Sequence, residues 1–358
     1  MRRSLLLLGA AGLIVLVVLL GVALFGSSSD SRPNGGAASS REPEVPVEDE
    51  LNLATAGWST DFARHGVPLG EFSSGGPGKD GIPSIDAPDF VAASEADFME
   101  AREPVVQLEL DGDARAYPLQ ILIWHEIVND TVGGAPVAVT FCPLCNTTIV
   151  FDRRLDGRVL DFGTTGNLRN SDLVMYDRQT ESWWQQLGGT AVVGELTGKK
   201  LQQLPASIVA WEDFERTHPE GTVLSRNTGY SRSYGENPYS GYDSVDSPPF
   251  FPAANLDDDR LPPKERVVFI ERGGEQVVVP FSALVDARSV EVEVGGQELE
   301  VIWRPGTRSA LDSGSIRSGR DVGTALVRSR ETGELVVFDQ PFWFAVAAFA
   351  PDAEIVRG

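Results

Sequence analysis

Cys142 and Cys145 are the only two cysteines in a chain of 358 residues, and only Pro143 and Leu144 separate them. His125, one of three histidines, lies a short way upstream. Three chemistries use such a set. Thiolates with an imidazole suit Cu(I), Zn or iron, and Asp172, Met175 or a water can complete the ligand set. Two cysteines exclude a four-cysteine cluster, and a closed structural zinc site needs four protein ligands. A Cys/His/Met set outside the cytoplasm points to copper before zinc. The second chemistry is a thiol–disulfide couple, for which C-x-x-C is the usual spacing and His125 would stabilise the thiolate. The third is a structural disulfide, although so short a loop gains little chain entropy from cross-linking. Asn146 follows Cys145 where a c-type haem site needs histidine. A cysteine hydrolase with His125 as base has no recognisable oxyanion hole in the sequence.

The elements that must hold these residues can be read on either side. Residues 137–141 and 147–151 are β-branched, apolar runs and predict two strands with the thiols at their corner. The thioredoxin pattern, in which the pair caps a helix, is missing. Upstream, 105–110, Asp111-Gly112 and 114–117 read as a hairpin. Pro118 then opens a short helix that ends near His125, and Gly133-Gly134 turns the chain into the cysteine strands. Residues 163–186 carry Asn170, Asp172, Met175 and the pair Trp183-Trp184; they lack a phosphate-loop pattern and lead into a strand. Asn170, Asp172 and Met175 are the candidates for a fourth ligand or for its support. Residues 207–217 predict a helix with Ser207 as N-cap and Ile208, Trp211 and Phe214 on one face. His65 reads as a solvated loop residue and His218 as a surface residue at a helix end. The tyrosine-rich loop 230–242 either lines a ligand pocket, with Trp183-Trp184, or packs down on its own domain.

The chain as a whole bounds the function. A net charge of −22 and a pI near 4.5 argue against nucleic acid, whose phosphates need a basic face, and against anionic lipid. Arg2 and Arg3 precede an apolar, uncharged run from Leu5 to about Phe25, long enough for a spanning helix of ~20 residues. The arginines favour an inside N-terminus. Residues 1–26 are therefore expected to anchor the protein in the cell membrane as a single pass, with the bulk outside the cytoplasm; a cleaved signal would give the same address. Residues 27–50, rich in Ser, Gly, Pro and acidic residues, read as a flexible linker. The partners expected are a small molecule, a metal ion or a redox protein, with membrane contact through the N-terminal helix only.

Residues 106–118 (V-Q-L-E-L-D-G-D-A-R-A-Y-P) and 268–280 (V-F-I-E-R-G-G-E-Q-V-V-V-P) align without gaps, their prolines 162 positions apart. At that offset Gly133-Gly134 meets Gly295-Gly296 and Pro143 meets Pro305. His125 meets Ala287, Cys142 meets Arg304 and Cys145 meets Thr307. Two copies of one β-rich unit are expected, with the chemistry placed on the first only. The fold class predicted is α+β, β-rich: a first unit over 51–260 carrying the site and a second, degenerate unit over 261–358.

The segments His125-Glu126-Ile127-Val128-Asn129-Asp130, Phe141-Cys142-Pro143-Leu144-Cys145 and 170–178 resemble the domain-of-unknown-function family 3179. So do Asn237-Pro238-Tyr239, 261–266 and Phe342-Trp343-Phe344. The resemblance covers roughly residues 50–355 and implies an exported or membrane-anchored protein, with no activity attached. Two positions depart from the family pattern. Asn146 stands where glycine is usual after the second cysteine, and Ala350 stands where the family usually has histidine. If that histidine is a ligand in the family, this chain lacks it.

Overall fold

The structure, a computed structural model, describes residues 53–358, which belong to one compact unit. The expected anchor and linker lie outside the described residues. Among the described residues no helix is long and apolar enough to cross a membrane.

The first strand pair forms as the turn residues dictate. Pro104–Leu110 pairs antiparallel with Asp113–Pro118, from Val105 opposite Pro118 to Leu110 opposite Asp113. Asp111 and Gly112 both take positive φ (49° and 80°), as a two-residue turn joining right-twisted strands requires. Pro118, extended and with its φ fixed, leads into the seven-residue helix Leu119–His125, which buries Leu119, Ile121, Leu122 and Ile123. Glu126 ends the helix at φ 59°, ψ −30°. The chain reverses there and runs straight into Ile127–Val132. Gly133 and Gly134, at φ 54° and 79°, turn it back into Ala135–Cys142. Thr147–Asp152 follows after the cysteine corner, and the sheet order is Gln203–Leu204, Thr147–Asp152, Ala135–Cys142, Ile127–Val132. A five-stranded sheet containing Phe162–Arg169, Asp172–Asp177 and Trp183–Gln185 supplies the other wall of the site.

The same order of elements recurs. Val267–Arg272, Glu275–Pro280, the helix Phe281–Ala287, Ser289–Val294 and Gln297–Arg304 repeat it, residue for residue in the last four. Arg288, at φ 68°, ψ −31°, turns the chain where Glu126 does in the first set. Late in each set a helix (Trp211–Thr217; Trp343–Phe349) leads into a short strand that pairs parallel with the second hairpin strand.

The expected helix over 207–217 is corrected at its start. Ser207–Ala210 is a strand, paired with Pro104 to Gln107, and only Trp211–Thr217 is helical. Ser207 is not the cap; Ala210 is, without a side-chain bond. Ile208 and Val209 gain more from joining the open edge of the hairpin than from a helical turn, and tertiary context overrides the capping signal.

The principal core joins the cysteine sheet to the rest: Val139, Phe141, Ile149 and Phe151 pack in one cluster with Leu173, Trp184, Phe342 and Phe344. The thiol corner is thus enclosed by segments far apart in the sequence.

A candidate metal centre

Cys142 is the last residue of its strand, and Cys145 sits on the corner that leads to Thr147. Asn146 makes the corner possible by taking φ 58°. Glycine enters that region freely and Asn tolerates it. The Asn146 side chain then ties the corner down. Its Nδ2 donates to the Gln340 carbonyl at 2.9 Å, and its Oδ1 accepts from Arg266 at 2.7 Å. Tyr242 donates to the Leu144 carbonyl and the Phe342 amide donates to the Cys145 carbonyl, at 2.8 and 2.9 Å.

Asp172 reaches the thiols from the facing sheet. It follows the tight turn Asn170-Ser171, both residues at positive φ, which closes the hairpin between Phe162–Arg169 and Asp172–Asp177. Cys145 Sγ lies 2.8 Å from Asp172 Oδ1 and 2.8 Å from Thr147 Oγ1. One donor atom each from Cys142, Cys145 and Asp172 falls within 4.8 Å of the other two, and all three residues are buried. Both cysteines are free. The second Asp172 oxygen is held by the Gln185 side chain and by the Leu187 amide. Thr147 in turn donates to Gln186 Oε1, whose amide donates to Thr140.

Burial dominates the electrostatics. It pushes the Cys142 thiol up, and the Cys145 thiol well above its ordinary range, with Asp172 adding to both. It also raises Asp172, against the pull of the hydrogen bonds it accepts. Close by, Glu126 is raised to about 8, by burial first and by Asp172 second. Among the described residues the Glu126 side chain makes no hydrogen bond, and Glu126 is only 7% exposed. Without an ion, the pocket favours protonated thiols.

Of the residues singled out from sequence, the fold brings together Cys142, Cys145 and Asp172. His125 is buried, and its Nδ1 meets the Pro83 carbonyl and its Nε2 the Tyr234 hydroxyl, each at 2.7 Å. Both ring nitrogens are committed, so His125 stands outside the thiol group. Met175 belongs to the same core cluster as both cysteines. It lies three residues beyond Asp172 on an extended strand, roughly 10 Å along, and packs in the main core opposite Thr164 and Trp184. Asn170 shapes the turn and accepts from the Ala254 amide. Trp183 and Trp184 are fully buried, Trp183 against Trp58, Phe62 and Phe72, so the pair lines no ligand surface. The tyrosine loop divides: Tyr234 and Tyr242 bond to His125 and to the cysteine corner, while Tyr230 is exposed. Thr147, Gln185 and Gln186 were not singled out. Glu126 was visible only as the neighbour of His125 in the H-E-I-V-N-D motif.

Beside the Gln185 wall lies a cleft of about 450 Å³, whose lining includes Arg169, Gln185, Leu187, Asp339 and Phe349. Ala350 lines the same cleft.

The profile of one family, described as a protein of unknown function (DUF3179), matches residues 79–353. No curated protein and no solved structure matches the chain.

Proposed function

The chain belongs to that family of unknown function, DUF3179, and from the site itself we propose that it binds one transition-metal ion through Cys142, Cys145 and Asp172. The observation that carries this is the convergence of two thiols and a carboxyl, from two sheets, within 4.8 Å in a buried pocket. Two thiolates suit Cu(I), which supports a copper-type ion; the carboxylate oxygen adds a donor that suits Zn(II). Charge favours the divalent state. Three ionised donors leave one negative charge around a divalent ion and two around a monovalent one. No Lys or Arg bonds to the three donors among the described residues, and uncompensated buried charge is costly. Thr147, Gln185 and Gln186 orient the donors, as hydrogen-bonded outer partners do at metal sites.

A thiol–disulfide function is the second reading, supported by the two free cysteines at redox spacing. It is weaker, because reactive cysteines sit in electropositive, partly exposed surroundings, and these are buried beside a carboxyl. We further propose that the recurrence of elements reflects an internal duplication, and that the apolar run 5–25 tethers the protein outside the cytoplasm. Protease added to intact cells should then digest the chain, and full protection would overturn that address.

The full chain, purified without air, should carry about one equivalent of metal by elemental analysis. Two thiols should titrate only after chelation or unfolding. Cys145→Thr should lose the metal while melting within a few degrees of the parent. Metal well below one equivalent in the parent, with two intact thiols, would sink the proposal. Reversible disulfide formation in the folded protein would instead favour the second reading.

A further inference from the structure

The cleft beside Gln185 contains a buried carboxyl, that of Asp339. Among its cations, Arg169 is bound to Glu71 at 2.6 Å, and Lys200 to Glu271 at 3.1 Å. Asp339 has no ion pair among the described residues. It is 7% exposed and its Oδ1 accepts from Gln203 Nε2 at 2.6 Å. Its backbone is fixed by paired bonds to Phe269, both 2.9 Å. Burial raises the Asp339 carboxyl to about 7, against the pull of the Gln203 hydrogen bond and of Lys200 and with Glu271 and Asp172 adding to the rise. Among the described residues no cation lies within ion-pairing distance of this carboxyl. Leu187, Val346 and Phe349 supply an apolar wall.

An anion fits poorly, because both cations already have partners and Asp339 would repel it. A hard metal ion fits poorly too: Glu271 is taken by Lys200, and Asp339 with the amide oxygens of Gln185, Gln203 and Gln276 and the Thr190 hydroxyl falls short of the six or more oxygen donors such ions take. The volume lies within the range of small-molecule pockets, roughly 300–1,000 Å³. We infer that this cleft binds a small organic cation, a primary ammonium that donates to Asp339 and lays its carbon skeleton on Leu187, Val346 and Phe349. The inference requires no ion at the thiols, since the ammonium contacts Asp339 and not Asp172.

The test is calorimetric titration of the full chain in detergent with n-butylammonium, n-butyrate and 1-butanol as probes of equal length. Saturable binding is expected for the ammonium alone. A charge-assisted hydrogen bond contributes about 1.5–3 kcal/mol, so Asp339→Asn should weaken it roughly tenfold to a hundredfold. Gln203→Met, which removes the donor that orients Asp339, should weaken it by a smaller factor, and it gives a second readout if Asp339→Asn melts early. Cys145→Thr should bind as the parent does. Equal affinity for butyrate or butanol, no saturable binding of the ammonium, or unchanged affinity in both Asp339→Asn and Gln203→Met would each overturn the inference.

Discussion

Cys145 and Thr307 hold the same place in the two sets of elements, and each bonds to the threonine that opens the next strand. Cys145 Sγ lies 2.8 Å from Thr147 Oγ1, and Thr307 Oγ1 lies 2.5 Å from Thr324 Oγ1. A hydroxyl therefore satisfies the corner as well as a thiol does, which is why Cys145→Thr should separate chemistry from folding. The protonation of the thiols sets a pH dependence. Their native pKa values lie above the unfolded ones, so the native state keeps protons that the unfolded chain has already released. Stability of the metal-free protein should be full below the ordinary thiol range, near 8.5, and fall as pH rises beyond it. Metal affinity should move the opposite way and rise with pH, because at least two protons leave per ion bound; titrations between pH 6 and 8 measure the slope. Glu126 follows the same sign in a lower window. Raised to about 8, it stabilises the fold below the ordinary carboxylate range and stops doing so as pH climbs toward 8. Glu126→Gln should therefore melt several degrees above the parent at pH 8 and about with it at pH 5; a melting point at pH 8 no higher than the parent's would contradict this.

At the scale of elements, the left-handed corners hold the sheet register. A Cβ on Gly133 would meet the Leu110 carbonyl oxygen at 2.3 Å, and one on Gly295, its counterpart, the Arg272 oxygen at 2.8 Å. Both glycines also sit at positive φ, where a side chain costs roughly 1–2 kcal/mol. Gly133→Ala should destabilise more than Gly295→Ala in urea unfolding, because its new Cβ comes closer to the backbone oxygen it meets, 2.3 against 2.8 Å. The hairpins, their turns and the short helix after each proline were legible in sequence, since Asp-Gly, Gly-Gly and X-Pro fix local dihedrals. The start of the 207–217 segment was not. Ser207 to Ala210 has a capping residue and a helical apolar spacing, but its partner edge at Pro104 to Gln107 lies a hundred residues away.

Across the whole molecule, one polar cluster fastens the two sets of elements at the thiol corner. Arg266 donates to Asn146 Oδ1, to Asp243 Oδ2 at 2.9 Å and to Ser309. Asp243, fully buried on its side chain, also takes Arg320 at 2.7 Å, and this pairing holds its carboxyl below the usual range. Arg266→Ala should cost about 2–3 kcal/mol, less than the ~3–5 of an orphaned buried charge, because Arg320 still serves Asp243. It should also speed alkylation of Cys142 and Cys145 in the folded, metal-free protein, because Asn146 loses one of its two anchors. Denaturant curves and timed thiol labelling would measure the two effects; unchanged labelling would show that the corner is held without Arg266.

The sequence alone determined the local geometry: the cysteine corner, the strands that flank it, the proline-led helices and the recurrence with its substituted site. It also named Asp172 as a candidate ligand. The tertiary structure alone decided which groups converge. Residue spacing fixes directions along a strand or helix, but not which strand faces which across a core. Packing of the two sheets brought Asp172 to the thiols and set Met175 in the main core. It turned His125 to the Pro83 carbonyl and Tyr234, and closed water out of a pocket whose burial governs every charge within it.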